Sequence, residues 1–164
     1  MVSSRGERRS PGPSGFALVE LLLAALIVFL LACVALPAWQ RAQRKGKTYE
    51  ALVNVRRLYD GAVSYYETPH FDKNGKLLPR QFPLSTAWTP NGPGICCNEK
   101  DQTCRPENYA PQWQSSTWLA LEFSIIEPFY YSYQFDCAGL DARANFTASA
   151  SGDLNCDGKT FSIY

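Results

Sequence analysis

The sequence predicts an α+β protein in which a long N-terminal helix lies over a C-terminal antiparallel β-sheet. Three observations lead there. An apolar run extends from Phe16 to Leu36. Beyond it, apolar residues recur at intervals of three and four as far as about Glu67, the spacing of an amphipathic helix. In the last third the period falls to two, the spacing of half-buried strands. A length of 164 residues allows one modest core plus an anchor. With 16 basic against 15 acidic side chains, the charge balance points to no nucleic-acid partner.

The apolar run is 21 residues long. At 1.5 Å per residue this makes a helix of roughly 30 Å, the thickness of a bilayer's hydrocarbon core. It is too long for the apolar region of an ordinary secretory signal, so the segment is expected to be retained. Arg5, Arg8 and Arg9 precede it, and Arg41, Arg44, Lys45 and Lys47 follow. Its one charged residue is Glu20. An intramembrane carboxylate costs on the order of 3 kcal/mol even on lenient scales, so it calls for a cation. No lysine or arginine lies within the run. A free amino group on Phe16, made by a cut after Gly15, would stand at about the right depth.

The stretch Gly15–Glu20, "GFALVE", followed by some sixteen further apolar residues, resembles the prepilin signature of type IV pilins and of the pseudopilins of type II secretion. The resemblance implies that a prepilin peptidase cleaves between Gly15 and Phe16 and that Phe16 is N-methylated. It also implies that Glu20 neutralises a neighbouring subunit's amino terminus during assembly, and that Pro37 kinks the helix. The implied divisions are a leader at 1–15, a transmembrane and assembly segment at 16–37 and a periplasmic head at 38–164. The implied partners are other pilin subunits in a fibre, the prepilin peptidase, an inner-membrane assembly platform and the membrane itself. The protein would sit in a bacterial inner membrane with its head in the periplasm, and afterwards in an extracellular or periplasmic fibre. A pilus subunit is the first functional reading and a secretion pseudopilin the alternative.

Two other targeting signals compete. "LLAC" at residues 30–33 resembles a lipobox with Cys33 as the lipidated residue, although Leu31 and the upstream Glu20 fit it poorly. That reading makes the chain a lipid-anchored binding domain. "ERRSPGP" holds two arginines and little else of a twin-arginine signal. Orientation raises a conflict, because four basic residues follow the run and three precede it, against the positive-inside bias. Five of the six cysteines lie after residue 95, which suits an oxidising exterior and outweighs that bias.

After Pro37, the row Tyr49, Leu52, Val55, Tyr59, Ala62 and Tyr66 is the expected buried face. Trp39 is placed to anchor a membrane interface, and "RAQRKGK" either meets anionic headgroups or is a solvated helical face. Gly46 costs about 1 kcal/mol in a helix interior and marks a soft joint. Residues 68–94 contain five prolines and the turn-forming steps Asn74–Gly75 and Asn91–Gly92, so they read as a connecting loop, with His70 exposed in it.

Residues 95–164 form the sheet and disulfide region. Phe129, Tyr131, Tyr133 and Phe135 alternate with polar neighbours, as do Phe146, Ala148 and Ala150, and Phe161 with Ile163, which gives three strands. "SSTWLALEFSII" is ambiguous: Ser116 caps a short helix bearing Trp118, Leu121 and Ile125, or the run is another strand. Cys33 in the apolar run reads as an inert small hydrophobe. Cys96, Cys97, Cys104, Cys137 and Cys156 are the disulfide candidates. The favoured scheme pairs Cys104 with Cys96 or Cys97, and Cys137 with Cys156, leaving one thiol over; spacing alone does not fix it. A zinc site fits these spacings poorly.

"DLNCDG" at residues 153–158 matches the first half of an EF-hand loop through Asp153, Asn155, Asp157 and Gly158, but position twelve is Tyr164. An Asx-rich turn is the preferred reading, and no metal or cofactor is assigned. No nucleophile elbow, phosphate loop or metalloprotease motif appears, so no enzymatic activity is expected. Asn145 opens an Asn-Phe-Thr sequon that lies in an expected strand.

Overall fold

The computed structural model describes residues Leu18 to Ile163, and these divide into two compact units between Ala42 and Gln43. The cleavage pair Gly15 and Phe16, with the rest of the leader, lies outside the described residues. Helix α1 spans Leu18–Glu67 and includes Pro37. The first unit holds its apolar part, and among the described residues of that unit nothing packs against those side chains. Leu22, Leu26, Phe29 and Leu30 are all more than half exposed, and the intervening positions are similarly open. A helix that is apolar on every side needs a nonpolar surround, either lipid or other helices.

The second unit is α+β. Strands β1 (Thr86–Thr89), β2 (Ser132–Ala138), β3 (Asn145–Gly152) and β4 (Phe161–Ile163) form one antiparallel sheet in the order β1-β2-β3-β4. The expected three strands are present, and β1 is an addition within the stretch that the sequence assigned to loop. Its four residues lie between Pro83 and Pro90, and a strand at the sheet's edge tolerates such neighbours. The side chains of Phe161 and Ile163 fall outside what is described.

The last part of α1 packs on this sheet through Ala51, Asn54, Leu58 and Ala62, all buried. This corrects the expected face: Tyr49, Leu52 and Tyr59 are exposed, while Val55 is only partly buried and Ala62 belongs to both rows. Size decides between the two rows. Facing the helix are bulky residues, Tyr131 just before β2 and Tyr133 and Phe135 on it, and the alanines at 51 and 62 leave room for them. At Gly61 the approach is closest, because a Cβ there would collide with the carbonyl oxygen of Leu121.

Pro69 ends the helix by disfavouring helical geometry at Thr68. The Thr68 hydroxyl donates to the Ser64 carbonyl at 2.8 Å. His70 is not the exposed loop residue expected: its ring stacks on Tyr65 at 4.0 Å, and its Nε2 lies 2.9 Å from the Tyr65 carbonyl. A carbonyl only accepts, so Nε2 donates there, beside the Thr68 amide that donates to the same oxygen at 3.3 Å.

Between α1 and β1 the chain makes the expected turn at Gly75, whose φ is +77°. The Asp72 carboxylate accepts from the amides of Asn74 and Lys76. Helix α2 covers Pro106–Tyr109 and α3 covers Ser116–Ala120. The ambiguous stretch is therefore a short helix, capped by Ser115 and not by Ser116, followed by a turn at Leu121 and Glu122 and then by irregular chain. In that part Leu121, Phe123 and Ile125 are buried while Glu122, Ser124 and Ile126 are exposed. The core joins these residues to Trp113, Trp118, Phe129 and Tyr133 in a cluster of tilted and edge-on aromatic contacts. The Trp118 indole donates to the Thr89 hydroxyl at 3.0 Å, so its polar atom is satisfied inside the core.

Candidate functional site

The sequence-predicted site residues do not converge on one pocket. Those for assembly lie along the apolar part of α1. Glu20 is exposed in the first described turn of that helix, where a carboxylate is favoured by the helix dipole. Pro37 lies inside α1, at a point where its missing N–H removes the bond to the carbonyl of Cys33. Cys33 is a free, exposed thiol on the same helix, and Trp39 is 61% exposed beyond the proline. Helix α1 is long and apolar enough to cross a membrane.

The cysteine sites lie in the second unit and form two bridges, Cys96–Cys104 and Cys97–Cys156. The first fulfils one of the two pairings left open for Cys104. The second corrects the expected Cys137–Cys156 bond, and β-sheet register explains why. Cys137 pairs across the sheet with Phe146, whereas Ser132, at the other end of β2, pairs with Ser151. The turn carrying Cys156 follows β3 at the Ser132 end, so five residues of strand, roughly 17 Å, separate Cys137 from it. A disulfide needs Cα atoms within about 7 Å. Cys137 remains a thiol, its Sγ 2.9 Å from the Pro83 carbonyl.

Cys96–Cys104 closes a loop within the short-turn region after β1, and Cys97–Cys156 ties that region to the turn after β3. Cys104 also sits in a two-residue bridge with Phe129, with mutual backbone bonds of 2.9 and 3.0 Å. In the chain-entropy account the eight-residue separation of Cys96–Cys104 is worth about 2.5 kcal/mol, and the 59-residue separation of Cys97–Cys156 about 4 kcal/mol.

The Asp153–Gly158 loop is an Asx turn. The Asp153 carboxylate accepts from the amides of Asp157 and Gly158, and Asn155 donates to Asp157 at 2.8 Å. Its oxygens are thus engaged within the turn. Among the described residues no group of acidic, histidine or cysteine side chains is arranged to hold a metal ion.

Sequence reasoning missed a polar junction on the packed face of α1. Glu50 accepts from the Tyr130 amide at 3.0 Å and from the Tyr133 hydroxyl at 3.0 Å. Asn54 donates to that same hydroxyl at 2.8 Å, and Arg57 donates to Asn54 at 3.3 Å. Burial pushes the Glu50 carboxyl up to about 7, against the opposing effects of the Tyr133, Tyr130 and Tyr131 hydrogen bonds and of Lys47. The available signal was the i, i+4 pair Glu50 and Asn54 on the row of small residues.

No protein-family profile matches the chain, and no solved structure gives a significant match. Among curated proteins, the type IV major pilin protein PilA of Myxococcus xanthus (strain DK1622) is 34% identical to it over 62 residues, 38% of this chain. The chain is similar to a type IV major pilin. The match spans 28% of that pilin's own length, so the similarity is confined to a part of each protein.

Proposed function

We propose that the protein is a structural subunit of a type IV pilus-like fibre, made with a leader at residues 1–15 that a prepilin peptidase removes before Phe16. Residues 16–37 then form the membrane and assembly segment, and residues 38–164 the head. The observation that carries this reading is the all-round exposure of the apolar part of α1, with one acidic residue near its start, in a chain similar to a major pilin. Before assembly lipid covers that surface, with the head on the periplasmic side. On assembly, the same segments of neighbouring subunits cover it, burying apolar surface at about 25 cal/mol per Å2. Glu20 meets the amino group of a neighbour's Phe16, which favours one axial register.

The two bridges suit a head that works outside the cytoplasm. Glu20→Ala tests the mechanism in cells. The variant is expected to enter the membrane at normal levels but to be depleted from sheared fibres. Incorporation equal to the unaltered chain counts against the pairing.

A further inference from the structure

The Asn-Phe-Thr sequon at Asn145 has no part in the assembly reading, and it is the one match to Asn-x-Ser/Thr in the chain. As a tripeptide it says little; its place in the fold says more. Strand β3 opens at Asn145, just after the turn Asp141–Arg143 at the tip of the β2–β3 hairpin. Alternate residues of a strand face opposite sides of its sheet. Asn145 and Thr147 share the side away from α1 and are both exposed, whereas Phe146 points inward and packs on Phe82 and Phe135. The two side chains that define an acceptor are therefore presented together to solvent. The Asn145 amide nitrogen donates to the Arg143 carbonyl at 3.2 Å. That bond uses one of its two hydrogens, so a substituent can replace the other and leave the bond in place.

The same residues form an unguarded edge. Among the described residues β4 pairs only with Ala150, Ser151 and Gly152, so residues 145–148 have a neighbouring strand on the β2 side alone. Open edges are commonly protected by charge or proline, and neither occurs in these four residues. Beside them runs an apolar groove of about 460 Å3 lined by Val55, Tyr59, Phe82 and Phe146, with Tyr59 47% exposed. A bare edge next to an apolar groove invites pairing with another chain, and a bulky hydrophilic group at the start of that edge obstructs it.

We propose that Asn145 is N-glycosylated and that the glycan shields the open edge of β3. This rests on the reading that the head works outside the cytoplasm, where the acceptor meets its donor, a saccharide carried on a membrane lipid through a diphosphate. A membrane transferase joins the two. The Asn145 Nδ2 bonds to the anomeric carbon, the bond from that carbon to the diphosphate oxygen breaks, and the lipid diphosphate leaves. The amide gives up one proton, and no oxidant or reductant is required. Pairing with β2 holds the sequon extended, so the transfer precedes closure of the hairpin.

Glycopeptide mass spectrometry of the full chain, purified from its native envelope, reads the site. The peptide containing Asn145 is expected to be heavier by at least one saccharide residue and to release sugar fragment ions. Asn145→Gln and Thr147→Ala should each abolish the addition, while Thr147→Ser, which keeps the hydroxyl, should retain it. A bare Asn145 in the unaltered chain, or an addition that survives Thr147→Ala, overturns the proposal. Should a variant fail to accumulate, the spectrum of the unaltered chain decides alone. The same spectra give the first residue of the chain, which separates the two readings. A chain that begins at Phe16 with a bare Asn145 refutes the glycan and leaves the fibre subunit standing; a glycosylated chain that retains Met1 does the reverse.

Discussion

The hydroxyl of Tyr133 accepts from Asn54 at 2.8 Å and donates to Glu50 at 3.0 Å, so one strand residue satisfies two polar side chains of the helix packed on it. Tyr133→Phe keeps the ring's packing and strands both partners inside the junction. A buried polar group left without its partner costs about 1–3 kcal/mol. The variant is expected to unfold at a lower temperature than the unaltered chain by that equivalent, measured by circular dichroism at one pH. An unchanged midpoint shows that the junction contributes nothing to stability.

Two glycines of α1 make opposite predictions. Alanine is the better helix former by about 1 kcal/mol, and at Gly46 nothing lies within 4 Å of an added Cβ, so Gly46→Ala should stabilise by roughly 0.5–1 kcal/mol. At Gly61 the same Cβ meets the Leu121 backbone, which has no flexible end to yield. Gly61→Ala should therefore destabilise, by on the order of 1–3 kcal/mol, despite its better propensity. Denaturant unfolding of the two variants side by side checks the pair. The same sign for both would contradict the close approach of helix and Leu121.

Much of the fold was legible in the sequence because period and length are strong signals. The end of α1 at Glu67, the strands β2 and β3 and the burial of Phe129, Tyr131, Tyr133 and Phe135 follow from spacing alone. The buried face of α1 did not, because a tyrosine offers far more surface to bury than an alanine. What selects the alanine row is the bulk of the partner sheet. Strand β1 was hidden by its prolines, since backbone pairing with β2 decides its conformation more than composition does. The Cys137–Cys156 pairing conflicts with the topology, because consecutive strands joined by a short turn place Cys137 at the far end of the hairpin from Cys156.

The cysteine pattern gives a chemical test. Proteolysis under non-reducing conditions should yield peptides joined through Cys96–Cys104 and Cys97–Cys156, with Cys137 open to alkylation once the chain is unfolded. Adjacent cysteines need cleavage or fragmentation between residues 96 and 97 to tell their partners apart. The double variant Cys97→Ser with Cys156→Ser should lose about 4 kcal/mol, more than the roughly 2.5 kcal/mol lost on replacing Cys96 and Cys104. Cys137→Ser should leave the bridge map unchanged. A linked peptide containing Cys137 contradicts the register assigned to β2 and β3.

The fibre reading turns on a covalent event at the start of the chain, because in that reading Glu20 pairs with a neighbour's Phe16 amino group that only a cut after Gly15 creates. Intact-mass and N-terminal fragment spectrometry of protein purified from its native membrane reads this directly. The account predicts a chain beginning at an N-methylated Phe16. A chain that retains Met1, or one that begins at a lipidated Cys33, contradicts it.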